Sequence, residues 1–523
     1  MKYSEVESLS WLEMTDNNSL FNFGGALPPM SVHYPVNPPG SRDFIHVEPS
    51  FTVCRKRVYP NLVAGGEGTR EFVGKIETLA MQFAFGESPF VPDPRRTVVK
   101  SAVRGYPLPH LEYRAGNLKY SFKYACAAID KLQSIAAVEC EICNECDEER
   151  RAFVTVKFNV CPEKELFEYH YVHYYWNAQK WLPQNNLSYE DQTAFIDGVP
   201  FAKALPGNFR DQFEQIIASD KNSFNREFSC SDPYWAEPQM RILEADNVLR
   251  FSAKIPAGVT NKFTLFMLAD EKNADPLYAE ALKNASFAEI AGKSLLAFKG
   301  KMSCAPTFKC AYGNFDEILL AQQVQILQLL VDLNGEEPGL KPTQGGSSER
   351  FYVWIWEAMH MLKPMLRMGF FDVVRKALDN IFSLQDAGCP PEGEFQTVAG
   401  SIGTTGPKWA NSTGSALDLA ASYYLYSKDY DFTVKFLPRL LKAADWIIRE
   451  IRVTRRNGAD GKKILNWGLM PFARATDGDS GYVVAQTDVN TLTGLEKFVN
   501  MLDSLKHPLA DEYRKEAVYP RRR

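Results

Sequence analysis

Four carboxylates in two short loops have the types and spacing for proton transfer. Glu392 and Glu394 stand in CPPEGEFQ, and Asp477 and Asp479 stand in ATDGDSGY. Two carboxyl groups held near one another can divide the work, one giving a proton while the other takes one or activates water. The same residues suit plainer roles. Asp477 and Asp479 flank Gly478 as turn formers, and Glu392 and Glu394 fit a solvated loop. Three indoles accompany them: Trp354 and Trp356 at the start of a helical stretch, and Trp409 in a long loop. Such rings are equally at home in a core or against the flat apolar side of a ligand. Asp488 opens a further helical stretch, where it can hold hydroxyl groups or simply complement the helix dipole.

The elements that must position these groups lie between Glu349 and the C-terminal region. From Glu349 to about Met368 the chain is apolar on nearly every side, which predicts a helix buried all round. After Gly369, Val373, Val374, Ala377, Leu378, Ile381 and Phe382 recur at helical spacing among charged residues, predicting an amphipathic covering helix. The plan repeats with GSALDLAASYYLYSKD (414–429) and DFTVKFLPRLLKAADWIIREI (431–451), and begins again with TDVNTLTGLEKFVNMLDSL (487–505). Turns after Met368, Ser427 and Leu505 are short, whereas the connections at 335–348, 385–410 and 453–486 are long. Alternating short and long connections gather the long loops at one end, with the N-termini of the buried helices. Long loops in a compact domain are usually functional, so that end is the expected site.

Residues 1–274 read as an antiparallel β-sandwich, from period-two alternation at Leu118–Tyr124, Ala152–Val160 and Leu249–Ile255. GNFRDQFEQIIAS (207–219) reads as a short helix within an irregular insertion. VECEICNECDEERRAFVTVKFNV reads as a β-hairpin with its tip at Asn144–Glu149. It carries Cys140, Cys143 and Cys146, a spacing that invites a metal but lacks a fourth ligand. The aromatic run Glu168–Trp176 fits a strand, and His170 and His173 fall on opposite faces of it. Residues 275–348 form a linker with helices, ending in the Gly/Pro/Ser-rich GEEPGLKPTQGGSS.

The totals exclude several classes. The chain has 523 residues, a net charge of −5 and 45% hydrophobic residues, which gives no footprint for nucleic acid or an anionic membrane. No apolar run is long enough to span a bilayer, and the start lacks a signal peptide; with reduced cysteines this points to a cytoplasmic protein. No dinucleotide, phosphate-loop, zinc-protease or serine-hydrolase motif stands in the required strand–helix context. No cofactor and no metal are expected.

Taken together, FYVWIWEAMHMLKPMLRMGFFDVVRKAL (351–378), GSALDLAASYYLYSKDYDFTVKFLPRLLKAADWI (414–447) and NWGLMPFARATDGDSGY (466–482) resemble the six-hairpin (α/α)6-barrel glycoside hydrolases and related phosphorylases. The stretch KIPAGVTNKFTLFML (254–268) is similar to the sandwich that precedes such barrels. The resemblance implies a multidomain β + α fold: an antiparallel β-sandwich, a helical linker, and over 349–523 a partial (α/α)6 toroid. It also implies that the C-terminal half of the barrel is missing from this chain, which would then be an incomplete fragment of such an enzyme. It further implies a carbohydrate substrate, an oligosaccharide or glycoconjugate, cleaved by inverting carboxylate acid/base catalysis. Such chemistry needs carboxyl groups roughly 6.5–9.5 Å apart, against about 5–5.5 Å for retention. Asp477 and Asp479 fall where several members carry the acid. Arg350, Trp354, Trp356, Glu357, Trp409 and Asp488 become the substrate-binding set, with Glu357 standing where the family's motif has Asp. A phosphorylase, or a non-catalytic sugar-binding protein, are the alternatives.

Overall fold

The computed structural model describes residues 34–47, 51–58, 62–66, 69–73, 75–90, 92, 96–165, 187–216, 246–269, 274–311, 315–343, 353–405, 409–474 and 485–518. Arg350, Asp477, Asp479 and the aromatic run at 168–176 therefore lie outside the described residues.

The first part is built of two large antiparallel sheets and a separate ribbon of β4 (Leu62–Gly66) with β5 (Thr69–Val73). One has seven strands in the order β1 (Tyr34–Pro35), β2 (Asp43–Val47), β3 (Val53–Val58), β6 (Lys75–Phe85), β11 (Arg150–Glu165), β16 (Asp246–Ile255), β15 (Arg210–Ile216). The other has eight, ordered β12 (Leu187–Glu190), β13 (Thr193–Ile196), β14 (Val199–Leu205), β17 (Thr260–Leu268), β10 (Ser134–Asn144), β9 (Leu118–Ala128), β8 (Pro109–Ala115), β7 (Val98–Ser101). Alternate residues of both sheets face a shared core. Rings stack across it: Phe85 on Tyr120 at 4.1 Å and Phe251 on Phe263 at 4.2 Å between centroids.

Two expectations are corrected here. The stretch 138–160 is not a hairpin, because β10 and β11 lie in opposite sheets. The turn between them crosses the sandwich, and so does the turn between β16 and β17. Asn144 ties the two crossings together: its Nδ2 donates to Glu148 O at 2.7 Å and Ile255 O at 2.8 Å. Alternating hydrophobicity specifies a strand but not its sheet. Secondly, residues 210–216 form strand β15, paired with β16 from Arg210↔Ser252 to Ile216↔Asp246, rather than a helix. Phe213 serves there as an edge residue packed on the core.

Among the described residues, helices begin at Pro276. Asp275 caps α1 (Pro276–Lys283) by accepting from Leu277 N, with Pro276 at the first helical position, where its missing N–H costs nothing. α1 and α2 (Phe287–Met302) cover the outer face of the eight-stranded sheet through Tyr278, Leu282 and Ile290. α3 (Phe315–Leu329) belongs to both cores: Ala321 packs into the sandwich and Leu327 into the helical part. The joint beside it is polar and reciprocal. Asn37 Nδ2 donates to Gln328 O at 3.0 Å, Gln328 Nε2 returns to Asn37 O at 3.2 Å, and Arg42 grips Glu336 bidentately. The short pair β18 (Leu330–Val331) and β19 (Lys341–Pro342) follows.

Three helical hairpins then follow: α4 (Ile355–Arg367) with α5 (Phe371–Ser383), α6 (Ser412–Ser427) with α7 (Tyr430–Val453), and α8 (Ala485–Ser504) with α9 (Ala510–Val518). Gly369 at φ 86° turns the first hairpin, and Lys428 at φ 57° turns the second. Asp429 caps α7 through Phe432 N. α6 is buried on every side from Ser412 to Tyr424. α4 is not: its Met359, Leu362 and Leu366 are buried, but His360, Pro364 and Arg367 are exposed. The chain there is apolar overall, yet its polar residues share one face. Among the described residues no helix is long and apolar enough to cross a membrane.

Candidate functional site

The inner helices α4, α6 and α8 run the same way, so their N-termini share one end. At that end the rings of Trp354 and Trp409 meet with centroids 5.4 Å apart and planes at 46°. Val353 N donates to Thr405 Oγ1 at 2.6 Å beside them. At the far end Lys428 Nζ reaches Ser504 Oγ at 3.4 Å, joining the C-termini of α6 and α8. Between the ends, Lys363 Nζ of α4 holds Asp418 Oδ2 of α6 at 2.7 Å, and Ser422 Oγ donates to Asp418 Oδ1 at 3.0 Å.

The loops leading into α6 and α8 are zipped together. Glu394 N donates to Phe472 O at 2.8 Å, Arg474 N to Glu392 O at 2.8 Å, and Ala410 N to Arg474 O at 3.0 Å. Gly393 sits at the closest approach, where a Cβ would come within 2.7 Å of Ala473 Cβ and Phe472 O. The pairing therefore requires glycine at that point. It also fixes the directions of Glu392 and Glu394, both exposed. The Glu392 carboxylate lies 4.0 Å from the Arg474 guanidinium.

The remaining expected residues fall as follows. Trp354 and Trp409 are buried. Trp356 is half-buried and meets His360 edge-on at 4.8 Å. Glu357 is half-buried in the first turn of α4. Asp488 is buried in the first turn of α8, and its Oδ1 accepts from Met470 N at 2.9 Å. Burial pushes the Asp488 carboxyl above its ordinary pKa, against the smaller opposing pull of the Met470 N–H. Trp354, Trp409, Glu392, Glu394 and Asp488 thus belong to one connected end, linked through Arg474, Phe472 and Met470.

The three cysteines of the 140–146 run are not presented together. Cys140 is in the inter-sheet core, Cys143 is half-buried near the end of β10, and Cys146 follows in the turn, where its Sγ accepts from Arg150 at 3.6 Å.

Sequence reasoning missed two residues at this end. Arg474 is the cation beside Glu392, and nothing in its loop context singles it out. Glu450 of α7 is fully buried and accepts from Gln396 N at 2.8 Å and Thr397 N at 3.2 Å. Its signal was present, since it lies seven residues after Ala443 on the apolar stripe of an otherwise regular amphipathic helix.

No protein-family model matches the sequence, and no curated protein sequence matches it. Among solved structures, the chain is similar to a bacterial glucoamylase complexed with acarbose at 11% identity and a TM-score of 0.49, covering 96% of this chain and 68% of that one. It is also similar to a glycosyl hydrolase of family GH92 at 11% identity and a TM-score of 0.34, covering 95% of this chain and 62% of that one. Both of these neighbours are glycoside hydrolases.

Proposed function

We propose that this protein is a carbohydrate-active enzyme of the glycosidase type, hydrolysing an oligosaccharide or glycoconjugate by carboxylate acid/base catalysis with inversion. The observation that carries this reading is the meeting, at one end of three parallel inner helices, of the Trp354–Trp409 pair with the loop bearing Glu392 and Glu394 and with Asp488 in the first turn of α8. Indoles supply flat apolar area for a pyranose face, and carboxylates bind its hydroxyls or move protons. In this reading Trp354, Trp356, Glu357, Trp409, Asp488 and Arg350 bind the sugar. The acid and base come from Asp477, Asp479, Glu392 and Glu394.

One observation favours a second reading, a non-catalytic sugar-binding protein. A general acid needs burial to stay protonated near neutrality, and Glu392 and Glu394 are exposed. Incubating the chain with oligosaccharides and glycoconjugates, with and without inorganic phosphate, separates the possibilities. Free sugar released without phosphate, seen first as the inverted anomer by NMR, is the result expected. Sugar phosphate formed only with phosphate makes the protein a phosphorylase. Binding without turnover selects the second reading, and neither binding nor turnover ends the carbohydrate proposal.

A further inference from the structure

Seven buried polar atoms, each without a hydrogen-bond partner among the described residues, lie on the N-terminal turns of α6 and α8, on the cap residue Asn411 and on Trp409 just before it. They are Trp409 Nε1, both side-chain atoms of Asn411, Ser412 Oγ, Thr487 Oγ1, Asn490 Nδ2 and Thr491 Oγ1. Asn411 and Thr491 are fully buried. The register follows from two glycines. A Cβ on Gly414 would lie 2.6 Å from Thr491 Cα and 2.7 Å from Asn490 O, and one on Gly494 would lie 2.3 Å from Gly414 O. The helices touch backbone to backbone there. Because they run the same way, Asn411 and Thr487 lie about one turn, roughly 5.4 Å, nearer the N-terminal end than that contact.

Buried polar groups left unmatched destabilise a fold, and native proteins keep few of them. Seven at the end that also carries the paired indoles offer donors and acceptors to a hydrogen-bonding ligand. The chemistry of the set is specific. All six residues are uncharged. Trp409 Nε1 and the two amide nitrogens only donate, Asn411 Oδ1 only accepts, and the hydroxyls do either. Sugar hydroxyls likewise donate and accept. A carboxylate or phosphate group would find no positive charge among these six residues to offset its desolvation. Asp488, already seated in the first turn of α8, uses that helix's positive end and repels a second negative charge.

We infer that the seam between the N-terminal turns of α6 and α8 anchors the ligand through its hydroxyl groups, and that it selects an uncharged glycosyl unit over a uronate or phosphorylated one. This rests on the carbohydrate reading above and names the substrate class for it. The test is calorimetric titration of the full chain with neutral hexoses as methyl glycosides, with glucuronate and with inorganic phosphate. Thr491→Val, Asn411→Leu and Thr487→Val are titrated alongside, with thermal unfolding of each. Neutral glycoside binding is expected to weaken about tenfold or more in each variant, the loss of one well-made hydrogen bond, while Tm stays level or rises and Thr491→Ser restores affinity. If Thr491→Val fails to fold, Thr487→Val carries the same expectation at the rim. Glycoside binding left unchanged by the variants overturns the seam alone and leaves the carbohydrate reading standing. So does a fall in Tm with unchanged affinity. Glucuronate or phosphate bound in preference to neutral sugars overturns the selectivity. No glycoside bound by the unmodified chain overturns both.

Discussion

Glu450 accepts the backbone N–H groups of two successive residues, Gln396 at 2.8 Å and Thr397 at 3.2 Å, so a covering helix holds the loop that presents Glu392 and Glu394. Around this clamp Trp446 Nε1 donates to Thr397 O at 2.7 Å and Arg449 to Ala399 O at 2.7 Å. Glu450→Ala leaves two backbone donors with a lost charged acceptor and is expected to cost about 2–3 kcal/mol. Urea denaturation reads the loss. Hydrogen exchange reads its place, with faster exchange at Gln396 and Thr397. Unchanged protection there would show that the clamp is not what orders the loop.

The zipped loops make a steric prediction. Gly393→Ala drives a Cβ to 2.7 Å from Ala473 Cβ and Phe472 O, which forces the two loops apart at a cost of about 1–3 kcal/mol. Adding Ala473→Gly removes one of the two clashes but not the carbonyl, so partial recovery in a denaturation series is expected. Full recovery would mean that the Phe472 carbonyl yields freely.

Trp409 separates packing from recognition. Its Nε1 has no hydrogen-bond partner among the described residues, so Trp409→Phe keeps a ring against Trp354 and removes no internal hydrogen bond. A stability loss under about 1.5 kcal/mol is expected, against about 3–5 kcal/mol for Trp409→Ala. Sugar affinity, followed by intrinsic fluorescence, should fall in both. A Trp409→Phe variant that binds as the original does would make the indole a core residue only.

What was legible in the sequence follows the physics of each signal. Helical hairpins were readable because covering helices such as α5 and α7 alternate apolar and charged faces over several turns. Their loop lengths also carried the expectation that the stretches bearing Trp354 and Trp409 gather at one end, and the two rings lie 5.4 Å apart. The sheet partner of β11 was not readable. Strand alternation fixes which side chains point inward, and an inward side chain is the same in either sheet. Residues 210–216 misled because Phe213, Ile216 and Ile217 fall at helical spacing, while edge pairing to β16 outweighs local periodicity. Asn411 and Thr491 were invisible as a pair, since only the Gly414–Gly494 approach, eighty residues apart in sequence, puts their turns together.

Lys341 makes the joint between the sandwich and the hairpins sensitive to pH. Its side chain is buried, with Nζ 3.5 Å from Glu337 Oε1, and Asn380 Nδ2 donates to the other Glu337 oxygen at 3.1 Å. Burial lowers the Lys341 pKa to about 8, with Glu337 opposing the shift. In the unfolded chain the same amine titrates near its ordinary value, about 10.4. Between these two values the unfolded state binds the proton that the folded state has released, so raising the pH favours folding. The charged amine is therefore a liability below about pH 8. That liability is relieved as the pH rises toward 10.4, at up to about 1.4 kcal/mol per pH unit. Other groups titrate in this range, so the decisive quantity is the difference in unfolding free energy between the unmodified chain and Lys341→Met. It is expected to shift in favour of the unmodified chain across this window and to stay flat from pH 6 to 7. A difference that does not change across the window would mean that Lys341 keeps its proton in the folded protein, held by Glu337 more strongly than burial opposes it.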